Sequence, residues 1–510
     1  MRSKLFLIII LLFAVASVSV ACNGEEEPAT LEMPPTPTLS PAVVTQGEEA
    51  SATGGGPVST PLPITPATTA TAVPPATATT SPPVMDGLPA TSHDLLFLAD
   101  GALKLWRHAP AQIDTLMMGA TAVSPEEYPG QRIRQPLVGD VAGLSVSSDG
   151  AHAVIAKLMS ETPYIITPGQ PFTNTVGTYE ITFLNVATGE QRPLIPAIHN
   201  PLIPEFTIAP DGQTLAISGL GVGSLEGIAL GAEMEGTLYV MKTAVNSIPT
   251  AIDTCANACS NVVWHNDGNL FVYGNQDGLK MFNLAATAPE LLVDGKATDE
   301  HPWGKHFTPI SWANNGRSLL TWYSQYIEGS ERAVFDMPTK NVIPVPNSGA
   351  YVGPFAQMEW MYDARLFVVR QNDSQQAIGE TMRVDGDNNQ IILDETVMLS
   401  TDTSYPAAPM HWENGRFAYA LFNVNSDFGE ANGNSSGLYQ RISFNEDAER
   451  LNDTPSLTDF FIDSAWEKES GSSLVFSDRG TMWYLPTDGV GMMNMETAVG
   501  GNAHSFNWLP

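Results

Sequence analysis

Five tryptophans recur at a nearly constant spacing in the C-terminal half of this chain of 510 residues. Trp264, Trp312, Trp360, Trp412 and Trp466 are 48, 48, 52 and 54 residues apart. Each ends a short apolar run, and a polar turn and a second apolar run follow it, as in the segment VVWHNDGNLFVYG. A regular period of this length indicates a repeat architecture, in which equivalent units pack on one another.

Each unit contains enough sequence for four short strands. After the two runs around the anchor residue, a third run and a hairpin turn follow, as in ITFLNVATGEQRPLI from Ile181. Four strands in about 50 residues are typical of one blade of a β-propeller. One blade cannot cover both faces of its own sheet, so blades must pack in a ring. We therefore predict an all-β fold, a single closed β-propeller.

The two ends of the repeat region complement each other. The chain ends in HSFNWLP, with Trp508 at an anchor position but no second strand after it. The first strands, from Asp94, have no anchor strand before them. We predict that the C-terminal strand completes the N-terminal blade and closes the ring, which removes exposed edges. This gives eight four-stranded blades. The first two full repeats carry Val146 and Ile208 in place of Trp, which leaves seven blades as the alternative count.

The hydrophobic–Trp–x–x–Asp/Asn–Gly unit, with NVATGE after a later strand, resembles the TolB-type, WD-repeat-like propeller family. The resemblance covers residues 94–510. It implies a propeller that serves as an interaction platform and does not specify a ligand. The anchor tryptophans are predicted to form inter-blade core and not a ligand cage; they are Trp264, Trp312, Trp360, Trp412, Trp466 and Trp508.

The N-terminus is typical of an exported protein. Arg2 and Lys4 precede an apolar stretch of 16 residues, which is short for a membrane span, and Cys22 follows small residues. This segment resembles a bacterial lipoprotein signal, which implies cleavage after residue 21 and acylation of Cys22. An uncleaved signal anchor and an ordinary signal peptide are the alternatives. We expect a lipid-anchored protein of the cell envelope, exposed outside the cytoplasm.

A Pro/Thr-rich stretch separates this signal from the repeats. Residues 23–92 contain 14 Pro and 14 Thr and no aromatic residue. Such a composition cannot bury enough apolar surface to offset its conformational entropy. We predict that residues 1–21 are a signal peptide, that residues 22–92 are a disordered tether, and that residues 93–510 form the propeller.

The charge balance limits the partners. The chain has 23 basic and 55 acidic residues, for a formal charge of -32. Such a field repels nucleic acid phosphates and anionic lipid headgroups, so contact with a membrane is expected through the lipid anchor alone. A partner from the envelope, either another protein or a polymer ligand, is the expectation.

The loops predict which face binds. Turns such as SSDG, APDG and HNDG are tight and lie on one face of the ring. The opposite face receives the longer loops, among them 159–178, 219–236, 324–331 and 423–437, together with the inter-blade stretch 295–309. Long loops on a rigid scaffold usually carry binding residues. The candidate partner-binding residues on this face are Asp299, Glu300, His301, Trp303, His306, Tyr326, Glu328, Asp427 and Glu430.

Other constellations carry less chemistry. Cys255 and Cys259 are the cysteines of the repeat region, and outside the cytoplasm a disulfide between them is the favoured interpretation. The string GNSSG around Ser435 has no strand-to-helix context for a nucleophile. The segment around Asp387 lacks the Glu of a calcium loop and is interpreted as a hairpin turn. We predict no catalytic residue, no metal site and no cofactor.

Two functions remain open on this basis. The first is a membrane-anchored platform that binds a protein or another ligand at the cell surface. The alternative is a hydrolase or lyase that acts on polysaccharide or peptide through acidic residues at the propeller mouth. Calcium-dependent adhesion, suggested by the acidity alone, is a third possibility.

Overall fold

The computed structural model describes residues 87–120, 135–164, 174–226, 228, 230, 234–256, 259–298, 304–326, 329–349, 356–412, 415–422, 437–451, 463–467, 473–478, 480–486 and 493–510. Their strands form eight antiparallel sheets, which are numbered here as blades one to eight in chain order. Within each blade, consecutive strands pair from the channel outward, as the repeat pattern predicts.

The first four blades contain the following strands. Blade one has β1 (Leu95–Ala99), β2 (Ala102–Arg107) and β3 (Gln112–Met117), and blade two has β4 (Val141–Val146), β5 (His152–Tyr164), β6 (Asn174–Asn185) and β7 (Gln191–Asn200). Blade three has β8 (Glu205–Ile208) and β9 (Thr214–Gly219), then β10 (Gly221–Val222), which pairs with β7 of blade two, and then β11 (Glu235–Lys242) and β12 (Thr250–Ala256). Blade four has β13 (Ser260–Trp264), β14 (Leu270–Asn275), β15 (Gly278–Asn283) and β16 (Glu290–Asp294).

The last four blades follow the same order. Blade five has β17 (His306–Trp312), β18 (Ser318–Tyr326), β19 (Gly329–Asp336) and β20 (Asn341–Pro344), and blade six has β21 (Gln357–Trp360), β22 (Leu366–Gln371), β23 (Gln376–Asp385) and β24 (Gln390–Thr403). Blade seven has β25 (Tyr405–His411), β26 (Phe417–Phe422), β27 (Gly437–Arg441) and β28 (Glu449–Arg450), and blade eight has β29 (Asp463–Trp466), β30 (Ser473–Asp478), β31 (Thr481–Pro486) and β32 (Met493–Asn494). The short helix α1 (Glu496–Val499) precedes β33 (His504–Trp508).

The predicted closure of the ring is confirmed. Strand β33 pairs with β1, with Leu95 opposite Trp508 and Leu98 opposite His504, and thereby becomes the innermost strand of blade one. All five residues of β1 are fully buried, because β33 covers one edge of this strand and β2 covers the other. The eight-bladed count is therefore correct, and the alternative of seven blades is wrong.

Further bonds hold this seam. The backbone N–H of Leu509 donates to the carbonyl of Asp94 at 2.8 Å, just before β1. Close by, Nδ1 of His93 lies 2.6 Å from a carboxylate oxygen of Glu467 in blade eight. Glu467 is buried, and Ser473 Oγ donates to its second oxygen at 2.8 Å. The first residues of the propeller are thus joined to the C-terminal segment by a backbone bond and to blade eight by a side-chain contact.

The anchor tryptophans lie on the inner strands and join each blade to the one before it. The indole N–H donates to the carbonyl of the residue that precedes the anchor of the previous blade, at 3.0–3.2 Å, in three pairs: Trp264 to Thr207, Trp360 to Ser311 and Trp508 to Ala465. The remaining anchors pack against aromatic rings, since Trp412 meets Trp466 edge-on at 4.7 Å and Trp312 meets His265 at 4.9 Å. The same residue therefore fills space and satisfies a polar group between two blades.

A second set of inter-blade bonds lies three residues before the anchor. Asp463 accepts a hydrogen bond from the backbone of Ser505 at 2.7 Å, and Gln357 accepts one from the backbone of Ala408 at 2.8 Å. Ser505 and Ala408 have positive φ, at 56° and 48°, and both lie in β-bulges. A bulge twists the strand locally and redirects its backbone. In both blades the redirected N–H meets a side chain of the preceding blade.

The tight turns explain one irregularity of the repeat. Gly316 in blade five has φ 65°, and Ala364 at the equivalent position of blade six has φ 63°. An L-residue in this left-handed region is strained, whereas Gly adopts it freely.

Among the described residues, no helix is long and apolar enough to cross a membrane.

Replacing Ala364 by Gly should therefore stabilise the protein. Relief of the left-handed strain, roughly 1–2 kcal/mol, exceeds the extra unfolded-state entropy of Gly, so we expect a net gain of about 0.5–1 kcal/mol. Urea unfolding of the two proteins measures the difference. The matched variant Gly316→Ala should lose stability, because its Cβ would lie 2.5 Å from Nε2 of His265. Equal stability of Ala364→Gly and the parent would contradict the strain argument.

The indole bonds can be isolated from indole packing. Trp360 and Trp412 are both buried, but Trp360 donates to Ser311 while the N–H of Trp412 is buried without a partner. Replacement by Phe removes a similar ring area at both sites. We expect Trp360→Phe to cost about 1 kcal/mol more than Trp412→Phe, which is the net value of one hydrogen bond. Thermal unfolding of both variants gives this difference, and the reverse order would disprove the role assigned to the indole N–H.

Candidate functional site

The candidate residues on the long-loop face are only partly described. Asp299, Glu300, His301, Trp303, Glu328, Asp427 and Glu430 lie outside the described residues. His306 begins β17 and is exposed, and Tyr326 ends β18. Since His306 pairs with Ser324, two residues before Tyr326, these two candidates lie at the same end of blade five. His306 and Tyr326 are the two candidates among the described residues.

Two of the predicted long loops are instead hairpins. Residues 324–326 and 329–331 continue the β18–β19 pair, with Ser324 opposite Ser330 and Tyr326 opposite Gly329. Likewise, much of 159–178 is a two-stranded extension of β5 and β6 that reaches Tyr164 and Asn174. For the described residues of both stretches the loop prediction was wrong, because the antiparallel pairing continues beyond the point where a loop was expected.

A recess opens in the channel wall between blades two and five. Its volume is about 580 Å³, and it is open to solvent and not an enclosed cavity. The inner strands β4, β8, β13 and β17 and the tight turns that follow the first three of them supply its lining. The lining residues are Val146, Ser148, Thr207, Ile208, Pro210, Val262, Val263, Trp264, Asn266 and Ile310. Because Ser148, Pro210 and Asn266 belong to tight turns, this recess opens toward the tight-turn face, opposite the face that the loops favoured.

The recess coincides with the two blades that lack the anchor Trp. Val146 and Ile208 occupy the positions that Trp fills in the later repeats, and both line the cavity. A branched aliphatic side chain occupies much less space than an indole, so the channel wall is thinner at these blades. The two departures from the repeat are visible in the sequence. The recess could be recognised only once the structure placed these two anchors side by side in the ring.

The inter-blade link also changes here. Between blades two and three the hydroxyl of Ser145 accepts a hydrogen bond from the backbone of Ile208 at 3.1 Å. This bond takes the place of the indole-to-carbonyl bond and keeps the two inner strands in register without filling the channel. At the rim, the Asn266 amide donates to the carbonyls of Ala313 and Asn314 at 3.0 and 3.3 Å.

The chemistry of the lining is uncharged. Aliphatic side chains alternate with the hydroxyls of Ser148 and Thr207 and the amide of Asn266. Among the lining residues that the structure describes, none has an ionisable side chain, so the wall offers apolar contact and hydrogen bonds but no general acid or base. Nor do the described residues elsewhere contain a group of three or more His, Cys, Asp or Glu side chains placed to hold a metal.

The densest charged network lies elsewhere, between blades three and four. Asp253 on β12 accepts hydrogen bonds from Tyr273 at 2.6 Å, Asn275 at 3.1 Å and Lys280 at 2.9 Å. Burial, together with the bond to Asp253, raises the pKa of Tyr273. Burial lowers the pKa of Lys280, but its bonds to Asp253 and Asp277 outweigh this and hold it above its ordinary value. These groups satisfy one another and join the two blades.

A disulfide lies beside this network. Cys255 near the end of β12 is bonded to Cys259 just before β13, so it closes the crossing from blade three to blade four. Both cysteines are buried with the anchor Trp264 in one hydrophobic cluster. The bond restrains a short inter-blade connection and leaves no free thiol there.

Neither a family model nor a curated protein sequence matches this chain. Solved structures are similar in fold. Dipeptidyl peptidase 4 of Porphyromonas gingivalis is 10% identical with a TM-score of 0.47, and the match covers 80% of this chain and 60% of the peptidase. For the periplasmic gluconolactonase of Pseudomonas aeruginosa the values are 10%, 0.40, 82% and 99%. For TolB from Acinetobacter baumannii they are 15%, 0.32, 71% and 83%.

These matches concern the fold alone. The chain spans 60% of the length of the Porphyromonas peptidase and 50% of prolyl oligopeptidase B from Galerina marginata, which is 11% identical with a TM-score of 0.42.

Proposed function

We propose that this chain is a lipid-anchored binding platform outside the cytoplasm, with an eight-bladed propeller on a flexible tether. Its ligand is an uncharged group, either a segment of an envelope protein or part of a neutral polymer, which enters the channel recess. The observation that carries this proposal is the uncharged lining of the recess where two anchor tryptophans are replaced by Val146 and Ile208.

The physical basis is the match between this wall and such a ligand. Apolar contact contributes roughly 25 cal/mol for each Å² of buried surface, and hydroxyl and amide groups provide orientation. A charged ligand would lose its hydration in the recess without gaining a counter-ion, which is unfavourable. The rigid ring reduces the ordering cost of binding, since inter-blade bonds already fix the inner strands.

The anchor and tether complete the proposal. Cys22 follows a signal-like apolar stretch, and residues 23–92 have a composition that favours an extended chain. A lipid on Cys22 would hold the protein at a membrane while the tether lets the propeller reach partners at a distance. The high acidic charge keeps such a displayed protein soluble.

Substitution of Cys22 by Ser should release the protein from the membrane. We expect the parent in the membrane fraction, carrying radiolabel from a fatty acid precursor, and the variant unlabelled in the soluble fraction. As a control, the double variant Cys255→Ser and Cys259→Ser should stay labelled and membrane-bound. A Cys22→Ser protein that remains in the membrane fraction would point to an uncleaved signal anchor.

Filling the recess should abolish binding. In Ile208→Trp an indole takes the anchor position used by the later blades, where its N–H faces the carbonyl of Ser145, so folding should be kept. Arrays of neutral oligosaccharides and uncharged peptides, probed with the labelled mature protein, should show members bound by the parent. The variant should lose affinity for them by about tenfold or more.

The matched control is Leu393→Trp, an equal gain in size at a side chain that is 52% exposed on the outer strand β24. It should bind as the parent does. Equal binding by all three proteins would place the ligand outside the recess. Cleavage of a bound oligosaccharide or peptide by the parent would replace the platform with the hydrolase or lyase alternative.

A further inference from the structure

Most described cations of this acid-rich chain have an oxygen partner, but the guanidinium of Arg332 does not. Nε and Nη1 of Arg332 are shielded from solvent and make no hydrogen bond. By contrast, Arg317 contacts Asp336 at 2.8 Å, and Arg365 contacts Asp363 at 2.8 Å. With 55 acidic residues for 23 basic ones, a counter-ion would be easy to supply. The missing partner therefore does not reflect a shortage of acidic residues in the chain.

The register of blade five locates Arg332. It lies on β19 opposite Trp322 of β18, in the half of the hairpin nearer the β18–β19 turn. Side chains two residues apart on a strand share a face. Val334 and Leu320, two residues away on each strand, belong to the hydrophobic cluster shared with blade six. Arg332 and Trp322 thus face blade six, and the guanidinium lies over the indole ring.

Two polar side chains of blades five and six bond to other groups. Glu380, a buried carboxylate of blade six, is held by Arg370 through two bonds of 2.7 and 2.8 Å. The hydroxyl of Ser348 accepts from the backbone N–H of Arg332 at 2.9 Å and lies 2.7 Å from the carbonyl of Val345, to which it donates. Burial lowers the pKa of Arg332, but a guanidinium remains protonated at neutral pH. A buried charge without a partner is costly.

We propose that Arg332 and Trp322 form a site for a carboxylate group. A planar carboxylate matches the two-pronged donor edge of a guanidinium, and the indole face beneath keeps that edge fixed in one plane. Arg332 is partly exposed, and Nη2, unlike Nε and Nη1, is not shielded from solvent, so a carboxylate can approach the guanidinium from this side. The net charge of the protein opposes anions at long range, but salt screens this field beyond about 8–10 Å. This site is separate from the channel recess and independent of its ligand.

Thermal unfolding of the mature protein, titrated with sodium acetate against sodium chloride at constant ionic strength, tests the site. Acetate should raise the Tm of the parent in a saturable manner, and chloride should not. In Arg332→Met the apolar stem remains without the charge, so this variant should be at least as stable as the parent in chloride and should not respond to acetate. Arg332→Lys keeps the charge but loses the paired donors, and its acetate affinity should fall by about tenfold.

A peptide pair separates two sources of the carboxylate. If a partner's C-terminus is the natural ligand, a short peptide with a free C-terminal carboxylate should raise the Tm at a lower concentration than acetate, and its amidated form should have no effect. Equal potency of acetate and the free peptide would assign the site to small organic acids. The proposal is overturned if acetate shifts the parent and Arg332→Met equally, or if Arg332→Met is less stable than the parent in chloride.

Discussion

The structure depends on the pairing of β33 with β1, which closes the ring of blades. Each sheet has two largely apolar faces, and only neighbouring blades can cover them. Without β33, the fully buried strand β1 would present an open edge, and the facing sides of blades one and eight would lose their cover. The contact between His93 and Glu467 and the bond from Leu509 to Asp94 lie at this same seam. Residues that are far apart in the sequence therefore decide whether the repeats form one domain.

The inner strands of several blades share one inter-blade contact made by an indole, and two blades depart from it. An indole that donates to the preceding blade fills the wall and satisfies a carbonyl in several blades, as Trp360 does with Ser311. Where Ile208 replaces the indole, Ser145 supplies the inter-blade bond instead, and the smaller side chain fills less of the channel. The recess thus lies where two adjacent repeats carry smaller anchor side chains, while the strand pairing of the ring is kept.

The ionisable groups between blades also follow a common pattern with an exception. Acidic groups that lie between blades have hydrogen-bond partners, as Asp253 has in Lys280 and Tyr273 and Asp463 has in the backbone of Ser505. Such pairs offset the cost of desolvation and fix the position of one blade against the next. Arg332 departs from this rule, as Ile208 departs from the Trp pattern. In both cases an exception to an internal pattern, and not the pattern itself, is the place where we propose that an external group binds.

The sequence by itself determined the fold class, the eight blades, the closure by the C-terminal strand and the inter-blade position of the tryptophans. Repeat spacing and turn residues are visible in the sequence directly, so these features could be predicted without the structure. It did not locate the recess or the unpaired Arg332. The extensions of strands β5 and β6 were not predicted from the sequence either, since strand pairing can continue through residues whose composition is typical of a loop. Only the tertiary structure decided these points. Whether Val146 lines a recess with Trp264, or whether the guanidinium of Arg332 has a partner, depends on which side chains of different strands and blades are brought together.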